Sequence, residues 1–174
     1  MKTSTQITLK WGLISGIVYF ISTFIQQYAG LMDELIEANS WIAILIGTIL
    51  NVTFIFLTLK EFREENEGFI SYKKGLGVST LLGGISGVVT GIFNYVYLSF
   101  IDTNFVEKQM DKVRDQWEQQ GLTASQIESA EGITKIFMGP GAQFVMIILF
   151  SIIFHVLLGL IVAAIVKREK PIFD

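Results

Sequence analysis

The feature that most constrains this chain is a set of four long apolar runs that contain no Asp, Glu, Lys or Arg. They cover residues 11–32, 38–59, 75–101 and 136–166. About 20 residues of helix cross a hydrocarbon core roughly 30 Å thick, so each run is long enough to span a bilayer. A chain of 174 residues, 51% of them hydrophobic, has too little other material to cover four such helices in water.

The sequence therefore predicts an all-α protein, a four-transmembrane-helix bundle that forms a single integral membrane domain over residues 1–174. The spans are expected at about residues 11–32, 40–59, 75–101 and 140–166. A helical segment over residues 102–135 is expected outside the membrane between the third and fourth spans. The short loop 33–39 makes the first two spans an antiparallel hairpin.

The distribution of Lys and Arg predicts how the bundle is oriented. If the N-terminus is cytoplasmic, the inner segments hold nine basic residues and the outer segments hold four. This excess on one side is what the positive-inside rule describes, so both termini are expected in the cytoplasm. The four outer residues are Lys108, Lys112, Arg114 and Lys135.

Composition excludes several classes of function. The chain has no cysteine, which removes thiol chemistry, and a net charge of −3 with no basic tract argues against a nucleic-acid partner. A single histidine and the absence of a membrane-embedded carboxylate predict no metal site. No nucleophile motif or nucleotide-binding loop is present, so we expect no catalytic residues and no cofactor.

Small residues at helical spacing predict where the spans pack together. In the first span the pattern Gly12-x-x-x-Gly16 allows another helix to approach closely, either in a second copy of the chain or, the favoured interpretation, within the bundle. In the third span, Thr80 and Asn94 share a stripe with four glycines. The predicted packing glycines are Gly12, Gly16, Gly77, Gly84, Gly87 and Gly91.

Polar side chains within the spans are the candidates for function. His155 is ionisable and lies near the middle of the fourth span, at about the depth of Asn51 in the second, so a hydrogen bond between them is expected. Gln26, Asn94 and Gln143 fall near the outer third of the membrane. Two interpretations stay open: these residues join helices by hydrogen bonds, or they line a small polar cavity.

The segment 102–135 carries two helix signals. Asn104 with Glu107, and Thr123 with Gln126, have the spacing of capping boxes, and Gly121 ends the first helix. That first helix is amphipathic, and its apolar stripe could pack on the bundle, lie in the lipid interface or meet a partner. The stripe consists of Val106, Met110, Val113 and Trp117.

Several stretches resemble a known family. These are residues 60–63 (KEFR), residues 66–72 (NEGFISY), the glycine-rich third span, and residues 97–102 (YLSFID). They are similar to a bacterial membrane family known as domain of unknown function 4199, over nearly the whole chain. The chain departs from the family pattern at Thr103, where proline is expected. The resemblance implies four spans in the bacterial inner membrane and, as partner, a polyprenol-phosphate sugar transferase, but no catalytic residues.

The sequence thus predicts a non-enzymatic accessory or scaffold subunit of a membrane complex, surrounded by lipid and bound to a membrane protein. The alternative from another class is a small carrier or flippase for a lipid-linked or amphiphilic substrate, working through His155 and the polar layer. Association with a second copy of the chain is left open.

Overall fold

The computed structural model describes residues 3–28 and 40–170, and the predicted loop 33–39 and the predicted end of the first span lie outside them. The described chain is helical. Its helices are α1 (Ser4–Tyr28), α2 (Ser40–Glu65), α3 (Tyr72–Val96, continued by a π-helical turn Tyr97–Ile101), α4 (Phe105–Gln119), α5 (Ala124–Met138) and α6 (Pro140–Val166).

Within the described residues, four helices are long and apolar enough to cross a membrane. They are the helical segments Ser4–Gln26, Trp41–Glu65, Tyr72–Ile101 and Pro140–Val166. Their outward faces carry large apolar side chains, of which Leu13 and Leu149 are each 50% exposed. An exposed apolar face on every long helix is what a hydrocarbon solvent requires.

The chain divides into two compact units. The first consists of residues 1–90 and 148–174 and therefore holds α1, α2, most of α3 and most of α6. The second consists of residues 91–147 and holds the end of α3, helices α4 and α5, and the start of α6.

The first unit is built on close contact between α3 and its neighbours α1 and α6. A Cβ at Gly12 would lie 2.5 Å from Ile85 Cγ2, and one at Gly16 would lie 2.6 Å from Val89 Cβ. On the other side, a Cβ at Gly87 would lie 2.9 Å from Ser151 Cβ. Contacts this short leave no room for a side chain, so the glycines are what lets these helices pack against one another.

The predicted positions Gly77 and Gly84 are wrong as packing sites. Among the described residues, no heavy atom of a neighbouring element lies within 4 Å of a Cβ built at either position. The face of α3 in contact runs instead through Ser79, Gly83 and Gly87, all of them buried. Gly83 and Gly84 are adjacent, so two small-residue stripes about 100° apart are both present in the sequence, and spacing alone does not select between them.

The end of the first unit near residue 60 contains the apolar core. Ile55 and Leu59 of α2, and Leu82 of α3, are fully buried there, with Ile7 of α1 and Val162 of α6 nearly so. The residues after α6 are attached to the turn before α3 by an antiparallel backbone bridge, in which the N–H of each residue donates to the carbonyl of the other. It joins Ile70 and Arg168, with N···O distances of 2.8 and 2.9 Å.

The turn between α2 and α3 is tightest at residues 67 and 68. Glu67 and Gly68 both have positive φ, 55° and 84°. Ser71 caps α3, since its Oγ accepts the Lys74 N–H at 3.3 Å. Glu67 also forms an ion pair with Lys170, which lies beyond the backbone bridge.

In the second unit α4 packs against α5. The Thr123–Gln126 capping box is confirmed, with the Thr123 N–H donating to Gln126 Oε1 at 2.9 Å, and Gly121, with φ 80°, follows the end of α4. The Asn104–Glu107 capping box is wrong. Asn104 has φ −92° and ψ 1° rather than the extended backbone of a cap, so its side chain makes no capping bond.

Candidate functional site

The polar centre of the first unit is formed by His155 of α6 and Tyr19 of α1. The His155 side chain is only 1% exposed, and its Nδ1 lies 2.8 Å from the carbonyl oxygen of Ser151. A carbonyl oxygen can only accept, so Nδ1 carries the proton and donates. Nε2 is buried and has no hydrogen-bond partner among the described residues.

The histidine lies against backbone because α3 has a glycine opposite it. A Cβ at Gly83 would lie 2.7 Å from His155 Cβ and 2.9 Å from Ser151 O. Ser151 Oγ donates to the carbonyl oxygen of Gly83 at 2.8 Å, and Ser86 Oγ lies 3.3 Å from Ser151 Oγ. The serines therefore connect α3 to α6 immediately beside the imidazole.

Tyr19 covers the other side of the imidazole. Its ring meets the His155 ring edge-on with centroids 6.1 Å apart, and it meets Phe54 of α2 at 5.6 Å and 88°. Its Oη is buried and, like His155 Nε2, has no hydrogen-bond partner in the described part of the chain. Leaving a buried polar atom unpaired costs about 1–3 kcal/mol, so these two atoms are the costliest polar groups in the site.

These two groups have complementary chemistry. A phenol hydroxyl can donate a hydrogen bond, and Nε2 of a neutral imidazole protonated at Nδ1 can accept one. A small polar group that reached both could be held by one bond to each. Within residues 3–28 and 40–170, no group of three His, Cys, Asp or Glu side chains is placed to hold a metal ion.

The predicted hydrogen bond between Asn51 and His155 is wrong. Asn51 Nδ2 donates to the carbonyl oxygen of Gly47, one turn earlier in α2, at 2.8 Å. The histidine makes the same kind of bond within α6. Each side chain uses one nitrogen to donate to a carbonyl oxygen of its own helix, and neither of these bonds needs a partner helix.

The predicted outer polar layer falls in both units. In the first, Gln26 is buried and its Nε2 donates to the carbonyl and the hydroxyl of Ser22, at 3.1 and 2.9 Å. In the second, Asn94 Nδ2 donates to Gln143 Oε1 at 3.2 Å, and Gln143 Nε2 donates to Met138 O at 2.8 Å. The structure therefore brings Asn94 and Gln143 together, joining α3 to α6.

The predicted packing glycine Gly91 also lies in the second unit. A Cβ there would be 2.9 Å from the Phe144 ring. The predicted apolar stripe of α4 is only partly available as a partner surface. Met110 is fully buried, which corrects its assignment, while Val106, Val113 and Trp117 are half-buried.

A second set of exposed apolar side chains in this unit lies at the end of α5. Ile136 is 70% exposed, and Ile133 and Phe137 are also exposed. The sequence does not single them out, because Ile136 and Phe137 belong to the apolar run 136–166, which leads into the predicted fourth span.

An ion pair holds α4 to α5. Arg114 pairs with Glu131 and also with Asp111, whose carboxylate oxygen lies 2.8 Å from Nη1. The hydrogen bond from Arg114, together with its positive charge, lowers the pKa of the Glu131 carboxyl below its usual range, and the same hydrogen bond raises the pKa of Arg114. Both side chains are partly exposed to solvent, which screens the pair, so it orients the helices more than it stabilises them.

The sequence identifies His155 as a candidate, but its pattern does not single out Gly83 or Ser86, which lie beside the imidazole and Ser151. The signal that could have found them is a second small-residue stripe in α3, formed by Ser79, Gly83 and Ser86 with spacings of four and three.

Comparison with known proteins identifies the family. No curated protein and no solved structure matches the chain. The family model described as protein of unknown function (DUF4199) matches residues 10–168, which covers all four membrane-length helices except the first turns of α1. The chain therefore belongs to the DUF4199 family, whose function is unknown.

Proposed function

We propose that this protein is a non-enzymatic accessory or scaffold subunit of a complex in the bacterial inner membrane. Both termini and the turn 66–71 lie in the cytoplasm, and α4 and α5 lie on the opposite side. The partner is a membrane protein, and the first candidate is a polyprenol-phosphate sugar transferase. The distribution of Lys and Arg supports this orientation, with nine in the segments proposed to be cytoplasmic and four in the segments proposed to be outside.

The observation that carries the proposal is how the polar side chains of the spans are used. Gln26, Asn51 and Thr58 all donate to a carbonyl four residues earlier in their own helix. Donors satisfied in this way are not free to bind a substrate passing through the bundle. Thr90 Oγ1 instead donates to Gly16 O at 3.0 Å, which fixes α3 against α1.

A scaffold also needs a surface for its partner. Three exposed apolar side chains at the end of α5, Ile133, Ile136 and Phe137, support such a surface. They lie just before Pro140, where the membrane-length helix α6 begins. A partner that shares the membrane could cover these side chains together with lipid-facing side chains of its own.

Co-purification from native membranes in mild detergent tests the scaffold proposal. We expect one membrane protein to be recovered in near-stoichiometric amount, and Ile136→Glu to reduce its recovery while the variant itself remains folded. Leu149→Glu is unsuitable as a control because it places a charge within a span, so Gln119→Glu in α4 is the matched control. A protein that elutes alone, or recovery unaffected by Ile136→Glu, would contradict the proposal.

A carrier function remains the second candidate because of one specific observation. Tyr19 Oη and His155 Nε2 are buried without hydrogen-bond partners among the described residues, and their rings are in contact. A lipid-linked or amphiphilic substrate with a hydroxyl group could satisfy both atoms during transport, by accepting a hydrogen bond from Tyr19 Oη and donating one to His155 Nε2.

The two candidates predict different results for Tyr19→Phe, a change that removes only the hydroxyl. If the atom is structural, the variant removes an unpaired buried group and should fold at least as stably as the wild type. A carrier would lose transport of a fluorescent lipid-linked sugar in proteoliposomes while keeping its fold. Unchanged transport in Tyr19→Phe and His155→Gln would exclude the carrier mechanism based on this site.

A further inference from the structure

A groove runs between α1 and α3 at the end of the bundle where α3 begins. It has a volume of about 390 Å³ and is open to its surroundings. Ser4 and Thr8 of α1 line one wall, and Lys73, Lys74 and Gly77 line the other. The lining therefore includes two ammonium groups and the hydroxyl groups of Ser4, Thr8 and Ser71, of which the Thr8 hydroxyl is buried.

The charge of this groove is not neutralised within the described chain. Neither Lys73 nor Lys74 forms an ion pair there, whereas Lys10, Lys60 and Lys170 at the same end each pair with a carboxylate. Lys74 Nζ lies 3.4 Å from Ser4 Oγ and 5.5 Å from the centre of the Phe62 ring. The lysines therefore keep net positive charge beside the Ser4 hydroxyl.

The position of the groove along α3 places it at the level of lipid head groups. Tyr72 begins the membrane-length helix, and the charge-free run begins at Gly75, immediately after the two lysines. Below them the lining becomes apolar, with Val78 buried and Leu81 46% exposed. Gly77 has no side chain, and no neighbouring element approaches within 4 Å of a Cβ there, so an acyl chain would meet no obstacle at this position.

We propose that this groove binds the phosphate of an anionic phospholipid, with Lys73 and Lys74 on the phosphate and an acyl chain along Gly77 and Leu81. The Ser4 hydroxyl supplies a hydrogen bond to the head group, whereas the Thr8 hydroxyl is buried and donates to the carbonyl oxygen of Ser4 at 2.7 Å. Charge and shape agree in this assignment, since the polar and cationic lining lies at the head-group level and the apolar lining lies one turn deeper. The site does not depend on whether the protein is a scaffold or a carrier.

Native mass spectrometry of the purified protein tests the site. Phosphatidylglycerol is titrated against phosphatidylcholine with the same acyl chains, and glycerol 1-phosphate serves as the soluble phosphate. We expect phosphatidylglycerol to bind about tenfold more tightly than phosphatidylcholine, and K73Q/K74Q to lose about tenfold of that affinity. Equal binding of the two lipids would overturn the proposal, and glycerol 1-phosphate binding as tightly as phosphatidylglycerol would overturn the assignment to a lipid.

Two matched controls separate this groove from general surface charge and from loss of fold. K60Q/K167Q removes the same charge at the same end without touching the groove, so its affinity should stay within about twofold of wild type. G77L should obstruct the acyl chain, whereas G84L, also at a glycine with free space around it, should leave binding unchanged. Equal losses in both lysine pairs, or wild-type binding by G77L, would contradict the site.

Discussion

Replacing Gly83 by alanine tests the packing of α3 against α6, and the same replacement at the adjacent Gly84 is the control. The new Cβ would lie 2.7 Å from His155 Cβ, 2.8 Å from its Cγ and 2.9 Å from the Ser151 carbonyl oxygen. Real Cβ atoms do not approach other heavy atoms so closely. The first and third obstacles are a Cβ and a backbone atom, which cannot rotate away, so the helices must separate.

The expected loss of unfolding free energy follows from comparing G83A with G84A. Alanine favours helix over glycine by up to about 1 kcal/mol, and this gain is common to both variants, so it cancels in their difference. The remaining difference is the overpacking at Gly83, typically about 1–3 kcal/mol. G84A meets no heavy atom of a neighbouring element within 4 Å and should be as stable as the wild type or slightly more stable.

Reversible unfolding in mixed micelles with increasing dodecyl sulfate, followed by tryptophan fluorescence, measures this difference. We expect G83A to unfold at a lower detergent fraction than both the wild type and G84A. G87A, whose Cβ would lie 2.9 Å from Ser151 Cβ, should behave like G83A. Equal stability of G83A and G84A, or a larger loss in G84A, would refute the assignment of the contact face of α3.

Three further predictions concern an ion pair, a backbone bridge and a turn. Arg114 lowers the pKa of Glu131 below the ordinary value of 4.5, so the contribution of the pair is present above that pH and is lost as the pH falls through the folded-state pKa; the protection factors of the amides in α4 and α5, which correct for the slower intrinsic exchange at low pH, should fall on acidification, and less so in Glu131→Gln. Arg168→Pro removes the N–H that donates to Ile70 O, so the Ile70 amide should exchange faster than in Arg168→Ala, and equal exchange would contradict the role of the bridge. Glu67 has φ 55°, so Glu67→Val should lower the free energy of unfolding by about 1–2 kcal/mol, whereas Glu67→Gly should not. An unchanged free energy of unfolding in Glu67→Val would contradict backbone strain at this position.

Much of the fold could be predicted from the sequence because each span is long, apolar and free of charge. The helix starts at Pro140 and Thr123, and the turn at Gly68, follow from local backbone chemistry that depends on few neighbours. The failed capping box at Asn104 shows the limit of this approach. The same residue spacing was present there, but the chain enters α4 from a π-helical turn with a backbone that does not suit a cap.

The site was harder to predict because facing residues depend on which side of each helix is in contact. A shift of one residue, from Gly84 to Gly83, changes the face of α3 by about 100° and determines whether the backbone meets His155. Asn51 and His155 have similar depth, but depth does not give direction, and each side chain had a carbonyl available one turn earlier. The groove at Lys73 was missed because it requires Thr8, a residue 65 positions away in the chain.

The proposals on function depend on the proposed arrangement across the membrane, and labelling of single cysteines tests that arrangement most directly. The chain has no cysteine of its own, so Glu67→Cys and Gln119→Cys can each be introduced into the wild-type sequence. With a membrane-impermeant maleimide on intact spheroplasts, we expect the cysteine at position 119 to be labelled and the one at position 67 to be labelled only after lysis. Labelling of both positions before lysis, or of position 67 alone, would contradict the proposed arrangement.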